Sequence, residues 1–224
     1  MRSQLFGSHT ESTAEDGAMA LQNPRMLRIA LNGELMARQG AMIAYQGAFD
    51  FAFQGGGVAK FLKKALTGEG VPLMRCTGQG DLFLADDASE IHLIDLDGDS
   101  VTVNGRNVLA FEPGLQWDIR RVEGASMFSG GVFNTVFTGR GRLAVTAHGT
   151  PVVLDTSQVP TFVDLQSAIA WSSNLQTSVR RTAGAGALIG RGSGEAFQLA
   201  LAGPGFVVVQ ASEGPTVPPH SHGN

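Results

Sequence analysis

The chain of 224 residues has one cysteine, one tyrosine and two tryptophans, and it carries no excess of basic charge. Each shortage excludes something. A lone Cys76 cannot form an intramolecular disulfide, and it fits a reducing compartment. A formal net charge of −4 sets up no global field for nucleic acid or an anionic membrane. So few Tyr and Trp rings supply little stacking surface, which argues against a groove for single-stranded nucleic acid. No run approaches the roughly 20 apolar residues that a membrane span requires. The N-terminal "MRSQLFGSHTESTAEDG" has neither an apolar signal core nor an Arg- and Ser-rich transit pattern, so the expectation is a cytoplasmic protein.

What is present is glycine, 30 residues of it, within a 43% hydrophobic chain long enough to bury a substantial core. Runs such as "IHLIDL", "VTVNG", "LAVTA", "PVVLD" and "FVVVQA" are short, rich in branched residues and bounded by Gly, Asp, Asn and Pro. That pattern reads as β-strands. Residues 1–23 read as a mostly flexible leader and 213–224, with their prolines, as a flexible tail.

Between these ends three phrases recur in one order. "CTGQGDLFL", "FTGRGRLAV" and "LAGPGFVVV" place Gly78, Gly139 and Gly203 at steps of 61 and 64 residues. "MIAYQGAFDF", "VLAFEPGLQWDI" and "AIAWSSNLQTSV" place Tyr45, Phe111 and Trp171 at steps of 66 and 60. "ALNGELMARQGA", "DLDGDSVTVNGR" and, more loosely, "VLDTSQVPTFVD" precede them. The expected fold is all-β: three duplicated sandwich-like units, 24–88, 89–149 and 150–212, in one compact body. Tyr45, Phe111 and Trp171 are expected in equivalent buried places. The T-G-x-G glycines are expected to permit a tight reversal or a bulge, and Asp97-Gly98 a hairpin turn. Cys76 stands where the other copies have Phe137 and Leu201, so it reads as a small core residue.

One segment breaks the β pattern. In "VAKFLKKAL" (58–66), Val58, Phe61, Leu62 and Leu66 form a helical stripe, with Lys60, Lys63 and Lys64 off it. A helix this short is marginal alone in water. The expectation is a single short helix docked on the β body or at a subunit interface. Attachment to a membrane surface through Phe61, Leu62, Lys63 and Lys64 is the lesser alternative.

No catalytic or cofactor pattern survives inspection. "GRGRLA" leads into a strand rather than a helix, so it is no dinucleotide fingerprint. There is no G-x-x-x-x-G-K-S/T and no G-x-S-x-G. "LIDLDGDS" lacks the terminal Glu of a calcium loop. His92 and His148 read as structural, and His220 with His222 make an incomplete metal site. Arg120-Arg121 and Arg180-Arg181 end "WDIRR" and "TSVRR" at one repeat position. They are candidates for anion recognition, against the plainer reading of surface arginines paired with local carboxylates. No cofactor, metal or catalytic residue is expected.

The succession "MLRIALNGELMARQGAMIAYQG", "GGGVAKFLKKALTGEG", "MRCTGQGDLFLA", "IHLIDLDGDSVTVNGRNVLAFEPGLQWDIRR" resembles the altered inheritance of mitochondria protein 24 family. That family's domain is classed as similar to the tryptophan RNA-binding attenuation protein. The resemblance implies an all-β body of duplicated units, commonly oligomeric, without an established enzymatic activity; mitochondrial members are linked to inner-membrane organisation. The functional expectation is a non-catalytic oligomeric binding or scaffold protein, a homotrimer at first guess, with an unknown protein partner. Nucleic-acid binding by fold analogy and small-ligand binding are the alternatives.

Overall fold

Branched residues alternating with small and polar ones dictate strands, and the computed structural model is built almost wholly of them. It describes residues 19–54, 72–121, 133–181 and 197–212. The strands are β1 (Met19–Asn23), β2 (Met26–Arg38), β3 (Met42–Gln54), β4 (Leu73–Leu84), β5 (Glu90–Asn104), β6 (Val108–Phe111) and β7 (Leu115–Arg121). They continue with β8 (Phe133–Ala147), β9 (Val152–Asp155), β10 (Thr161–Asp164), β11 (Ala168–Ser172), β12 (Gln176–Arg181), β13 (Phe197–Ala202) and β14 (Phe206–Val209). A 3-10 turn, Gly105–Asn107, links β5 to β6. The fold is therefore all-β. The expected helix at 58–66 lies outside the described residues.

An 11-stranded sheet runs in the order β3-β4-β2-β6-β8-β5-β11-β14-β9, with β1 added on β2 and β7 on β8. A second sheet has the order β10-β13-β12. All pairings are antiparallel. Along the large sheet one motif is met three times: β4 lies between β3 and β2, β8 between β6 and β5, and β14 between β11 and β9.

The recurring glycine phrase lies inside long strands rather than at reversals. β4 and β8 run straight through their T-G-x-G, which corrects the expectation of a tight reversal. The glycines are needed for closeness. Gly47 and Gly80 face each other across β3 and β4 at φ +125° and +133°. A Cβ on Gly80 would meet Gln46 O at 2.0 Å, and one on Gly47 would meet Gln79 O at 2.2 Å. Only glycine lets these strands bend together. In the third copy the strand breaks, with Gly203 between β13 and β14. Asp97-Gly98 is likewise no hairpin turn: β5 passes through it, and the register against β8 slips there, as at a β-bulge.

Three apolar clusters follow the three groups of strands. Leu27, Leu35, Cys76 and Leu82 belong to the first, Val103, Phe111, Phe137 and Leu143 to the second, and Leu165, Trp171, Leu201 and Val207 to the third. β1 pairs with Met26–Ile29 at the start of β2 and buries Met19. A second correction concerns the aromatics. Phe111 and Trp171 are buried at 1% and 2% exposure, but Tyr45 is 47% exposed. Its strand, β3, ends the sheet, and no described strand lies beyond it.

Candidate functional site

The sequence-flagged residues are scattered. Phe61, Leu62, Lys63 and Lys64 lie outside the described residues. Arg120, on exposed β7, donates from Nε to Asp118 Oδ2 at 3.2 Å. Arg180, on β12, holds its guanidinium 5.4 Å from the centroid of the Phe162 ring. Arg121 and Arg181 are the last residues of β7 and β12, and their side chains lie outside the described residues. β7 and β12 belong to different sheets, so Arg120 and Arg180 are given no common strand neighbour. The local pairing of Arg120 matches the plainer of the two readings.

A cleft of about 330 Å³ opens beside β2, lined in part by Leu31, Glu34, Glu112 and Pro113. Both carboxylates in it have partners. Glu112 Oε2 accepts from the Arg142 N–H at 2.8 Å, and Glu34 Oε2 lies 3.7 Å from Arg75 Nη1. Among the described residues no three His, Cys, Asp or Glu side chains are grouped to hold a metal ion. Cys76 is fully buried between β2 and β3, and burial pushes its thiol up to about 11. The thiolate is therefore disfavoured. The native protein is expected to resist iodoacetamide at pH 8, and to react once unfolded by urea; mass spectrometry reads both. This contribution to stability is present below the unfolded thiol pKa, about 8.5, and is lost as pH rises towards the folded value.

The joints between strand groups are more informative. β2 meets β6 through Met36↔Phe111 and Ala37↔Ala110. β5 meets β11 through Thr102↔Trp171 and Val103↔Ala170. Each joint is fastened by the polar residue that ends the first strand. Arg38 donates from Nε to Val108 O at 2.9 Å, and also reaches Arg106 O and the Asp86 carboxylate. Burial lowers the Arg38 pKa, and the Asp86 charge opposes that shift. Buried Asn104 donates from Nδ2 to Leu165 O and Ala168 O, both at 3.1 Å. Sequence reasoning missed both residues, because a polar group before a turn reads as solvated. Asn104→Leu is expected to cost about 2 kcal/mol in urea unfolding, since two buried carbonyls lose their donor.

The edges differ sharply from the joints. Met36 and Thr102 are buried, but Phe162, on β10, is 47% exposed. On β3 Ile43, Tyr45, Phe51 and Phe53 are all exposed, and Phe49 is partly buried against the first cluster. Tyr45 lies 5.5 Å from both Phe49 and Phe51, ring to ring, and Phe49 and Phe51 stack at 6.2 Å. β9 adds exposed Val152, Val153 and Leu154. These exposed apolar side chains of β3 and β9 lie on strands at the two ends of the large sheet.

Among solved structures, the chain is similar to the X-ray structure of protein SPYM3_0169 from Streptococcus pyogenes. The TM-score is 0.70 at 19% identity, over 87% of this chain and 92% of that one, a likeness of fold. No curated protein matches the sequence. The pattern of one family, mitochondrial biogenesis AIM24, matches residues 19–212, from the first residue of β1 to just past β14. By that match the chain belongs to the mitochondrial biogenesis AIM24 family.

Proposed function

We propose that the protein is a non-catalytic binding or scaffold protein that works as an oligomer and holds a protein partner on its exposed apolar strands. The observation carrying this reading is the aromatic face of β3, where Phe51 and Phe53 stay exposed on a framework of long paired strands. Apolar rings left in water beside ordered backbone cost free energy unless something covers them. A rigid sheet also loses little conformational freedom on binding, so a partner meets a preformed surface.

The test is quantitative co-purification from native cells with Phe51→Ser/Phe53→Ser beside the wild type. The double variant is expected to keep its fold by circular dichroism and to lose the wild-type partners. If it retains the same partners in the same amounts, the reading fails. The net charge of −4 argues against a polyanion as the partner. A gel-shift titration with pooled RNA at low salt is expected to show no retardation. The proposed compartment is the cytoplasm, consistent with an unpaired, buried Cys76; fractionation of native cells checks it.

A further inference from the structure

The pairing of strand groups follows one rule with a missing third term. The second half of β2 receives β6, and the second half of β5 receives β11. The strand that corresponds in the third group is β10. Leu35 pairs with Cys76, Val101 with Phe137, and Thr161 with Leu201. Counting on from these matches, Phe162 stands where Met36 and Thr102 stand. The strand segment that corresponds to β6 and β11 in the first group is the start of β3, with Tyr45 in the place of Phe111 and Trp171. By the same register, Phe162 belongs opposite Tyr45, and Val163 opposite Ala44.

Exposure marks these two segments as the unmade joint. β6 is buried at every residue, and so are the first four residues of β11. Residues 43–46 of β3, in the same relation to their neighbours, are exposed throughout. Phe162 is 47% exposed where Met36 and Thr102 are 9% and 7%. Tyr45 and Phe162 therefore do not cover each other within one chain.

We propose that β10 of one copy pairs antiparallel with the start of β3 in a second copy, Phe162 opposite Tyr45, and that repetition closes a ring. This deepens the oligomeric reading above by naming its joint. The contact is heterologous, a β10 edge meeting a β3 edge, so each copy has one of each to offer. It satisfies the free backbone groups of both edges and places two large rings as a cross-strand pair. One fastening is absent. Asp164, in the position of Arg38 and Asn104, accepts instead from the N–H groups of Gln166 and Ser167 at 2.7 and 3.1 Å. The third joint thus rests on backbone and apolar contacts, as suits an association between separate chains.

The test uses the full chain and light scattering at micromolar concentration. The wild type is expected as a closed oligomer, three copies in the first instance, and Tyr45→Glu and Phe162→Glu each as the 23.5 kDa monomer. Each variant keeps one intact edge. Mixing the two at equal amounts is therefore expected to give a dimer of twice the chain mass and nothing larger. A monomeric wild type overturns the joint and the oligomeric reading together. An oligomeric wild type that both variants leave intact overturns the joint alone, and so does a mixture that stays monomeric. As an arm that does not depend on the charged variants folding, Tyr45→Cys/Phe162→Cys is oxidised and run on a non-reducing gel. Links between chains are expected; a link within one monomer overturns the proposal.

Discussion

Gly80→Ala is expected to destabilise the protein by about 4 kcal/mol or more, a large fraction of the roughly 5–15 kcal/mol by which native proteins are stable. Two effects combine at this position. The backbone sits at φ +133°, which an L side chain adopts only under strain. The added Cβ also meets Gln46 O at 2.0 Å and Gly47 Cα at 3.0 Å, both backbone atoms of the neighbouring strand. No rotamer change relieves such a contact, so β3 must move away from β4. Gly33 separates the two effects. Its φ is +136°, but a Cβ there would meet nothing within 4 Å. Gly33→Ala is expected to cost only the strain, about 1–2 kcal/mol. Urea unfolding of both variants gives the comparison. Equal losses would show that strand closeness is not what these glycines serve.

The same glycines show where sequence reading succeeds and where it stops. Their spacing was legible, because a phrase written three times needs no knowledge of its geometry. Their role was misread in part. Glycine at positive φ is common to reversals and to bends within a strand, and only the partner strand distinguishes them. Gly80 lies against Gly47, more than thirty positions away in the chain. Asp97-Gly98 failed for the same reason, since a bulge and a hairpin turn use the same dipeptide.

Tyr45 carries the opposite lesson. Its phrase matches those of Phe111 and Trp171, so sequence assigns it the same burial. Burial is a property of the neighbour, however, and β3 has β4 on one side and no described strand on the other. Repetition in sequence fixes what a unit can bury, and position in the sheet decides what it does bury. The candidate surface is therefore illegible before the topology, although Tyr45 stands out in the repeat. Arg38 and Asn104 were invisible on other grounds. Each reaches carbonyls some 60 to 70 positions on in the chain, a distance at which no local pattern operates. Arg120 was legible because its partner, Asp118, is two residues away.

Phe137→Ala is the second substitution with a large expected effect, about 3–5 kcal/mol. Phe137 is fully buried in β8, paired to Val101 on one side and Trp117 on the other. Its ring meets that of Phe111 edge-to-face, with centroids 4.9 Å apart and planes at 64°. Removing it leaves a cavity walled by paired strands, which cannot collapse without breaking backbone hydrogen bonds. That places the cost toward the upper end of the range. Cys76 occupies the matching position in the first group and is equally buried, yet Cys76→Ala removes one sulfur and is expected to cost about 1 kcal/mol. The ring contact itself is isolated by a double-mutant cycle of Phe137→Leu with Phe111→Leu. A coupling of about 0.5–1.5 kcal/mol is expected beyond the separate losses. Additive losses would mean that Phe137 acts by volume alone, and that the edge-to-face geometry at the centre of the second cluster adds nothing to stability.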